Sequence, residues 1–115
     1  MAGTAASTRQ YFLYQLFAPR SDMARDPTAW TPAERAIASE HFAYMDAAEQ
    51  AGTIVVIGRS LDGIGPAIAI LDVATAEAAQ DFMARDPFIS SGLMRGTVHP
   101  FHLAFLRSQP VEQDR

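Results

Sequence analysis

Three histidines and a repeated pentapeptide are the parts of this 115-residue chain whose side chains could support acid–base chemistry. The sequence Met-Ala-Arg-Asp-Pro occurs at 23–27 and again at 83–87, and each copy presents one carboxylate, on Asp26 or on Asp86. An imidazole that is hydrogen-bonded to a carboxylate can act as a general acid–base catalyst near neutral pH. Whether such a pair forms depends on the elements that carry these residues.

The hydrophobic pattern predicts a β-α-β-β-α-β order of elements. Helices are expected at 32–51 and 76–85, a short turn or helical segment at 87–91, and strands at 11–17, 54–57, 66–73 and 96–105. Thr31, Pro32 and Glu34 predict a capping box at the start of the first helix. This order predicts a ferredoxin-like α+β fold, with a four-stranded antiparallel sheet and both helices on one face. Pro100 favours an edge position or a bulge for the last strand.

The composition indicates one globular domain, expected at 10–106 between a flexible tail at 1–9 and a polar tail at 107–115. The chain is 49% hydrophobic and carries a net charge of −4. It has no basic stripe, which argues against a nucleic-acid partner, and no apolar run approaches the length of a membrane helix. It has no cysteine, which excludes disulfides and fits a cytoplasmic location.

The strands are apolar on both sides, as in FLYQLF, IVVI and AIAIL. Two helices on one face of the sheet leave the other face uncovered, whereas a sheet with one wet face should alternate apolar and polar residues. We therefore expect a homodimer that packs through the sheet face.

The two pentapeptides do not occupy equivalent positions in the predicted order. The first lies between the first strand and the first helix, and the second lies at the end of the second helix. Their flanking residues, TAW and FIS, also differ. The repeat is therefore interpreted as a coincidence of composition, and the two aspartates are considered separately.

His41 falls within the apolar stripe of the first helix, which consists of Ala33, Ile37, His41, Met45 and Ala48. An imidazole on this face needs a hydrogen-bond partner. It can be a structural histidine or part of a site. Asp86 has a local alternative too, because an aspartate before proline is a good cap for the segment 87–91.

No metal or cofactor site is predicted. His41 is far along the chain from His99 and His102, and the chain has no HExxH motif. The glycine-rich stretch GRSLDGIG lacks the Lys-Ser/Thr of a phosphate-binding loop and is interpreted as a turn.

Several of these stretches together resemble the YciI-like family over roughly residues 10–106. They are the histidine in helix one, GRSLD at 58–62, ARDPFISSGL at 84–93 and VHPFHLAF at 98–105. The resemblance implies a ferredoxin-like fold that pairs into a dimeric α/β barrel. It also implies a His–Asp pair in a cleft, which falls on His41 and Asp86 in this chain, and it makes Asp26 a loop residue.

Further residues are candidate ligands of a substrate in such a cleft. Arg59 stands where many family members have proline, and it can bind an anionic group or simply be solvated. Ser60 adjoins it in the turn. Tyr14 can line a ligand site if its hydroxyl is paired. His99 precedes Pro100, where the family often has a basic residue, and is expected on the opposite face of the strand from His102.

The resulting hypothesis is a small cofactor-independent enzyme that uses His41 and Asp86 for proton transfer, in isomerase or lyase chemistry on a small organic molecule. This hypothesis rests partly on analogy between folds. The alternative is a non-catalytic ligand-binding or regulatory homodimer in which the pair is structural. A third, weaker alternative is an accessory subunit that binds another protein through its apolar face.

Overall fold

The computed structural model describes residues 10–107 as a single sheet with helices packed against it. The strands are β1 Gln10–Phe17, β2 Ile54–Arg59, β3 Ala67–Val73 and β4 Arg95–Phe101, and the helices are α1 Pro32–Gln50, α2 Ala76–Arg85 and α3 Pro87–Ser90. The predicted tail at 1–9 lies outside the described residues, as does the predicted C-terminal tail except for Arg107.

The four strands form one antiparallel sheet in the order β2-β3-β1-β4. One face of the sheet supplies Phe12, Tyr14 and Leu16 to the core, where they meet Met45 of α1 and Ala79 of α2. The predicted ferredoxin-like α+β fold is thus confirmed.

Strand β4 is shorter than predicted. It ends at Phe101 rather than at residue 105, because Phe101 already pairs with Tyr11, next to the first residue of β1. The position of β4 at the edge of the sheet agrees with the expectation from Pro100, since an edge strand does not need every backbone N–H for pairing.

The segment 18–31 packs against α1 and contains two short 3-10 helices, Ser21–Ala24 and Pro27–Ala29. The guanidinium of Arg20 donates to both carboxylate oxygens of Glu34, at 2.9 and 3.0 Å. Trp30 Nε1 donates to the carbonyl of Met23, whose side chain is buried. The turn after β2 adds a close contact, because a Cβ on Gly63, which has φ +80°, would clash with the carbonyl of Ser21.

Helix α1 begins with the predicted capping box. Thr31 Oγ1 accepts from the backbone N–H of Glu34, while Glu34 Oε1 accepts from the backbone N–H of Thr31. The helix ends at Gln50, shortly before Gly52, which has φ +84°. No helix within residues 10–107 is long and apolar enough to cross a membrane.

The second face of the sheet has no helix of residues 10–107 packed against it and is largely apolar. Tyr11, Leu13, Gln15 and Phe17 alternate with the core residues of β1 and therefore point to this face. Their cross-strand partners share the face, and the apolar ones include Ile68, Ile70 and Phe101. We call this surface the open face.

Glu34 gives the junction of segment 18–31 with α1 a defined pH dependence. The side chain of Arg20 and the backbone N–H of Thr31 lower the pKa of Glu34 to about 2, below the usual value for a glutamate of about 4.3. A carboxylate with a lowered pKa stabilises the fold above its unfolded-state pKa, and the stability is lost as the pH falls through its folded-state pKa.

We therefore expect Glu34→Gln to be less stable than the wild type at neutral pH, with the difference shrinking between about pH 4 and 2. Urea unfolding at several pH values would measure this. Glu77→Gln is the control, because Glu77 also lies in the first turn of a helix but has no ion pair with any described residue. A difference for Glu34→Gln that does not change with pH would contradict the assignment.

Candidate active site

His41 lies in the middle of α1, on the side of the helix that faces the rest of the protein. Met45 of the predicted stripe is buried, and Ile37, His41 and Ala48 are half-buried. Ala33, in the first turn, is exposed. The side chain of His41 is only 13% exposed and points toward the junction between α2 and α3.

Asp86 occupies this junction and is the N-cap of α3, as its local sequence predicts. Its Oδ1 accepts from the backbone N–H of Phe88 at 3.0 Å, and Pro87 is the first residue of the helix. Asp26 does the same in the first pentapeptide, where it caps a 3-10 helix by accepting from the backbone N–H of Thr28. The two copies therefore share a local cap although they lie in different parts of the fold.

Burial separates the two aspartates. Asp26 is exposed, whereas Asp86 is 0% exposed and is the one buried charged residue of the described part of the chain. Hydrogen bonds from Thr28 lower the pKa of Asp26, as expected for a solvated cap. Only Asp86 is positioned to receive donors from other elements.

Three donors from three elements converge on the Asp86 carboxylate. Tyr14 of β1 donates its hydroxyl hydrogen to Oδ2 at 2.6 Å. His41 Nδ1 of α1 lies 2.7 Å from Oδ1, which also accepts from the N–H of Phe88 in α3. An ionised carboxylate can only accept hydrogen bonds, so when Asp86 is ionised His41 donates from Nδ1.

The opposite ring nitrogen of His41, Nε2, is left for solvent or a ligand. The contacts of His41 with described residues use Nδ1 and the ring face, and within residues 10–107 no buried side-chain nitrogen or oxygen lacks a partner. Nε2 therefore reaches the surface. A neutral imidazole with Nδ1 protonated presents a proton-accepting lone pair at Nε2.

Aromatic rings form one wall of the site. The ring of Phe88 stacks on that of His41 with centroids 4.1 Å apart and an interplanar angle of 27°. Trp30, from segment 18–31, lies against the Phe88 ring at 6.1 Å. No role was predicted for Phe88, although its place two residues after Asp86 is that of a backbone donor to a capping aspartate.

Arg59 and Ser60 are held in the β2–β3 region by their own contacts. The guanidinium of Arg59 donates to the carbonyl of Ala24 at 3.2 Å and is exposed. Ser60 Oγ donates to the carbonyl of Pro66 at 2.8 Å, which closes the turn. Among the described residues, no contact joins either side chain to His41, so their predicted role in substrate binding stays a prediction.

Tyr14 and His99 lie on opposite faces of the sheet. Tyr14 is on the helix side, where it meets Asp86, and is only 1% exposed. His99 pairs with Leu13 and projects from the open face, so within one chain it does not line a cleft with His41. His102 follows the end of β4, so the strand alternation expected for it does not extend to its position.

No group of three or more potential metal ligands was found among residues 10–107. The described partners of the His41–Asp86 pair are a phenol and a backbone amide. What the arrangement offers chemically is a proton acceptor, Nε2, whose tautomer and orientation are fixed by a buried carboxylate.

The shared cap and the different burial of the two aspartates give a matched test. We expect Asp86→Ala to lower the free energy of unfolding by on the order of 3 kcal/mol, because it leaves the Tyr14 hydroxyl and the Phe88 amide without an acceptor in a buried site. Asp26→Ala removes the same local cap at the surface and should cost much less. Urea denaturation of both variants measures this, and equal losses would contradict a special role for burial at Asp86.

Comparison with known proteins identifies the fold family. Residues 13–102 match the YCII-related domain, and this range includes Tyr14, His41, Asp86 and Phe88. A search of curated proteins found no match. Since the matched range spans well over half of the 115 residues, this chain belongs to the YCII-related family.

Proposed function

We propose that this protein is a small cofactor-independent enzyme that transfers protons with His41 and Asp86. The observation that supports this most directly is the arrangement of the imidazole, in which Nδ1 is hydrogen-bonded to a buried carboxylate while Nε2 has no partner among residues 10–107 and is not sealed from solvent. A carboxylate at Nδ1 fixes the tautomer and stabilises the imidazolium that forms when Nε2 takes up a proton.

The proposed reaction begins with removal of a proton from an acidic C–H bond of the substrate by Nε2 of His41. The electron pair of that bond moves into an adjacent carbonyl and gives an enolate, while Asp86 stabilises the imidazolium. Where a carbon–carbon double bond is conjugated with the enolate, return of the proton to the far carbon of this system gives an isomer, and loss of a leaving group from the β carbon gives an elimination product. Both routes restore the neutral imidazole once its proton is released.

The substrate that we propose for Nε2 is a small organic molecule. The ring of Phe88 lies against His41, and Trp30 extends the aromatic wall. Such a wall favours a flat, weakly polar molecule such as an aromatic compound or a lactone. Arg59, Ser60 and His99 stay candidate ligands, and His99, which lies on the open face, would contact the substrate of a second chain rather than that of its own.

The alternative function is a ligand-binding or regulatory homodimer in which the pair is structural. The observation that favours this alternative is the small exposed fraction of the His41 side chain, 13%, together with the complete burial of Asp86. A structural pair should support stability without turning over any substrate.

The two functions are distinguished by proton exchange. We expect the wild type to incorporate deuterium from D₂O into a member of a panel of enolisable lactones and aryl ketones, detected by ¹H NMR. His41→Gln should lower this rate by about 10²–10⁴-fold, the usual contribution of a general base. Asp26→Asn is the matched control and should retain the wild-type rate. Equal rates for His41→Gln and the wild type would exclude His41 as the base.

We also propose a homodimer formed through the open face. The face carries the half-buried Leu13 of β1 at its centre, beside Ile70 of β3, which is already buried within one chain, and the exposed Phe101 at its edge. An apolar sheet face is stabilised when a second apolar surface removes it from water. A second copy of the chain supplies such a surface by symmetry.

Leu13→Glu is expected to convert the dimer to a monomer, because it would bury a charge at the centre of the interface. Sedimentation velocity measures the change, and circular dichroism checks that the variant is folded. Phe42→Glu is the control: Phe42 is 76% exposed on α1, away from the open face, so the variant should remain dimeric. A wild type that sediments as a monomer at micromolar concentration would contradict the proposal.

We propose a cytoplasmic location on the composition alone. The chain has no cysteine, and thus no disulfide that an oxidising compartment would favour. Fractionation of cells that express the protein would test this.

A further inference from the structure

Tyr14 is buried in the middle of the sheet, and its hydroxyl reaches across to the site. It pairs with Ala69 of β3 on one side and Val98 of β4 on the other, so its backbone is fixed by two neighbouring strands. Its side chain is packed edge-on against Phe82 of α2, with ring centroids 6.0 Å apart. The hydroxyl has little freedom to leave Asp86.

We propose that Tyr14 is a positioning residue, whose hydroxyl holds Oδ2 of Asp86 so that Oδ1 faces Nδ1 of His41 and Nε2 is presented to the substrate. This inference rests on the proposed function for its catalytic meaning. The inference also states that the tautomer of His41 depends on the hydroxyl of Tyr14 in β1. This dependence can be measured without any substrate.

The need for this hydroxyl follows from the burial of the carboxylate. Asp86 is shielded from water, so each oxygen must be satisfied by protein donors. Oδ1 receives two donors, from His41 and from Phe88, whereas Tyr14 is the donor that the described residues provide to Oδ2. Without the phenol, Oδ2 would be an unpaired buried acceptor, and the carboxyl group would rotate or take up a proton.

The phenol remains a donor over the whole physiological pH range. Burial raises the pKa of Tyr14 far above its ordinary value, and the hydrogen bond to Asp86 raises it further. Its low exposure also separates it from a substrate at Nε2. Tyr14 thus acts on His41 through Asp86 rather than by touching the substrate.

Tyr44 provides a matched control in the same chain. It also contacts Phe82, with ring centroids 5.0 Å apart, and its hydroxyl donates to the backbone carbonyl of Phe82 at 2.7 Å. Burial raises the pKa of Tyr44 to about 12. Tyr44→Phe therefore removes one phenol hydrogen bond next to the same phenylalanine but leaves the donors of Asp86 in place.

The test is the ¹⁵N NMR spectrum of the histidine side chains at a pH where His41 is neutral. In the wild type, and in Tyr44→Phe, we expect the widely separated Nδ1 and Nε2 shifts of a pure Nδ1–H tautomer. In Tyr14→Phe the two shifts should move toward each other as the Nε2–H tautomer becomes populated. The exposed His99 and His102 serve as internal references.

A folded Tyr14→Phe protein whose His41 shifts equal those of the wild type would overturn the inference. That result would leave the proposed function intact, since His41 could still act as the base. Conversely, a His41→Gln variant with unchanged proton exchange would end the proposed function and leave the tautomer result standing.

A second measurement covers the case in which Tyr14→Phe does not fold. The protein is labelled with 3-fluorotyrosine, and the three tyrosine signals are assigned with Tyr11→Phe and Tyr44→Phe. We expect His41→Gln to move the ¹⁹F signal of Tyr14 and to leave that of Tyr44 in place. A Tyr14 signal that is indifferent to His41→Gln would overturn the inference.

Discussion

A carboxylate that is completely removed from water is the constraint on which the site depends. A phenol, an imidazole and a backbone amide satisfy the hydrogen-bonding capacity of the Asp86 carboxylate. The donors come from β1, α1 and α3, so the carboxylate connects the sheet to helices α1 and α3. A shift of any of these elements would leave a buried donor or acceptor unpaired, which is costly.

Common features of local structure place each hydrogen-bond donor next to the Asp86 carboxylate. The capping box starts α1 at a defined residue and thereby sets which way His41 points one helical turn after Ile37. Strand alternation turns Tyr14 toward the helices, and the proline at the start of α3 aims the Phe88 amide back at Asp86. Segment 18–31 completes the wall with Trp30, and its contact with Glu34 connects the wall to the start of α1. Each element thus follows its own local preferences, and the groups that it presents meet at the buried Asp86 carboxylate.

Most of the local structure can be predicted from the sequence. The contacts that bring distant residues together at Asp86 are less predictable. The caps at Thr31 and Asp86 were predictable because both depend on residues within three positions along the chain. The proximity of His41 to Asp86 was suggested by resemblance to a family, not by spacing. The hydroxyl of Tyr14 meets a residue 72 positions away, and that contact depends on the three-dimensional packing of β1 against the helices. The end of β4 was missed for a similar reason, since pairing with β1 and not composition terminates the strand.

The two copies of the pentapeptide illustrate how such a site can arise. The same five residues form the same aspartate cap twice. The first cap is exposed to solvent, and the second is buried in contact with Tyr14 and His41. The backbone of the second copy needed no special adaptation to become a candidate for catalysis. Residues 14 and 41, both distant along the chain from this cap, provide the other two partners of the Asp86 carboxylate. A substitution at position 14 or 41 therefore changes the surroundings of Asp86 without changing the sequence of the α2–α3 junction.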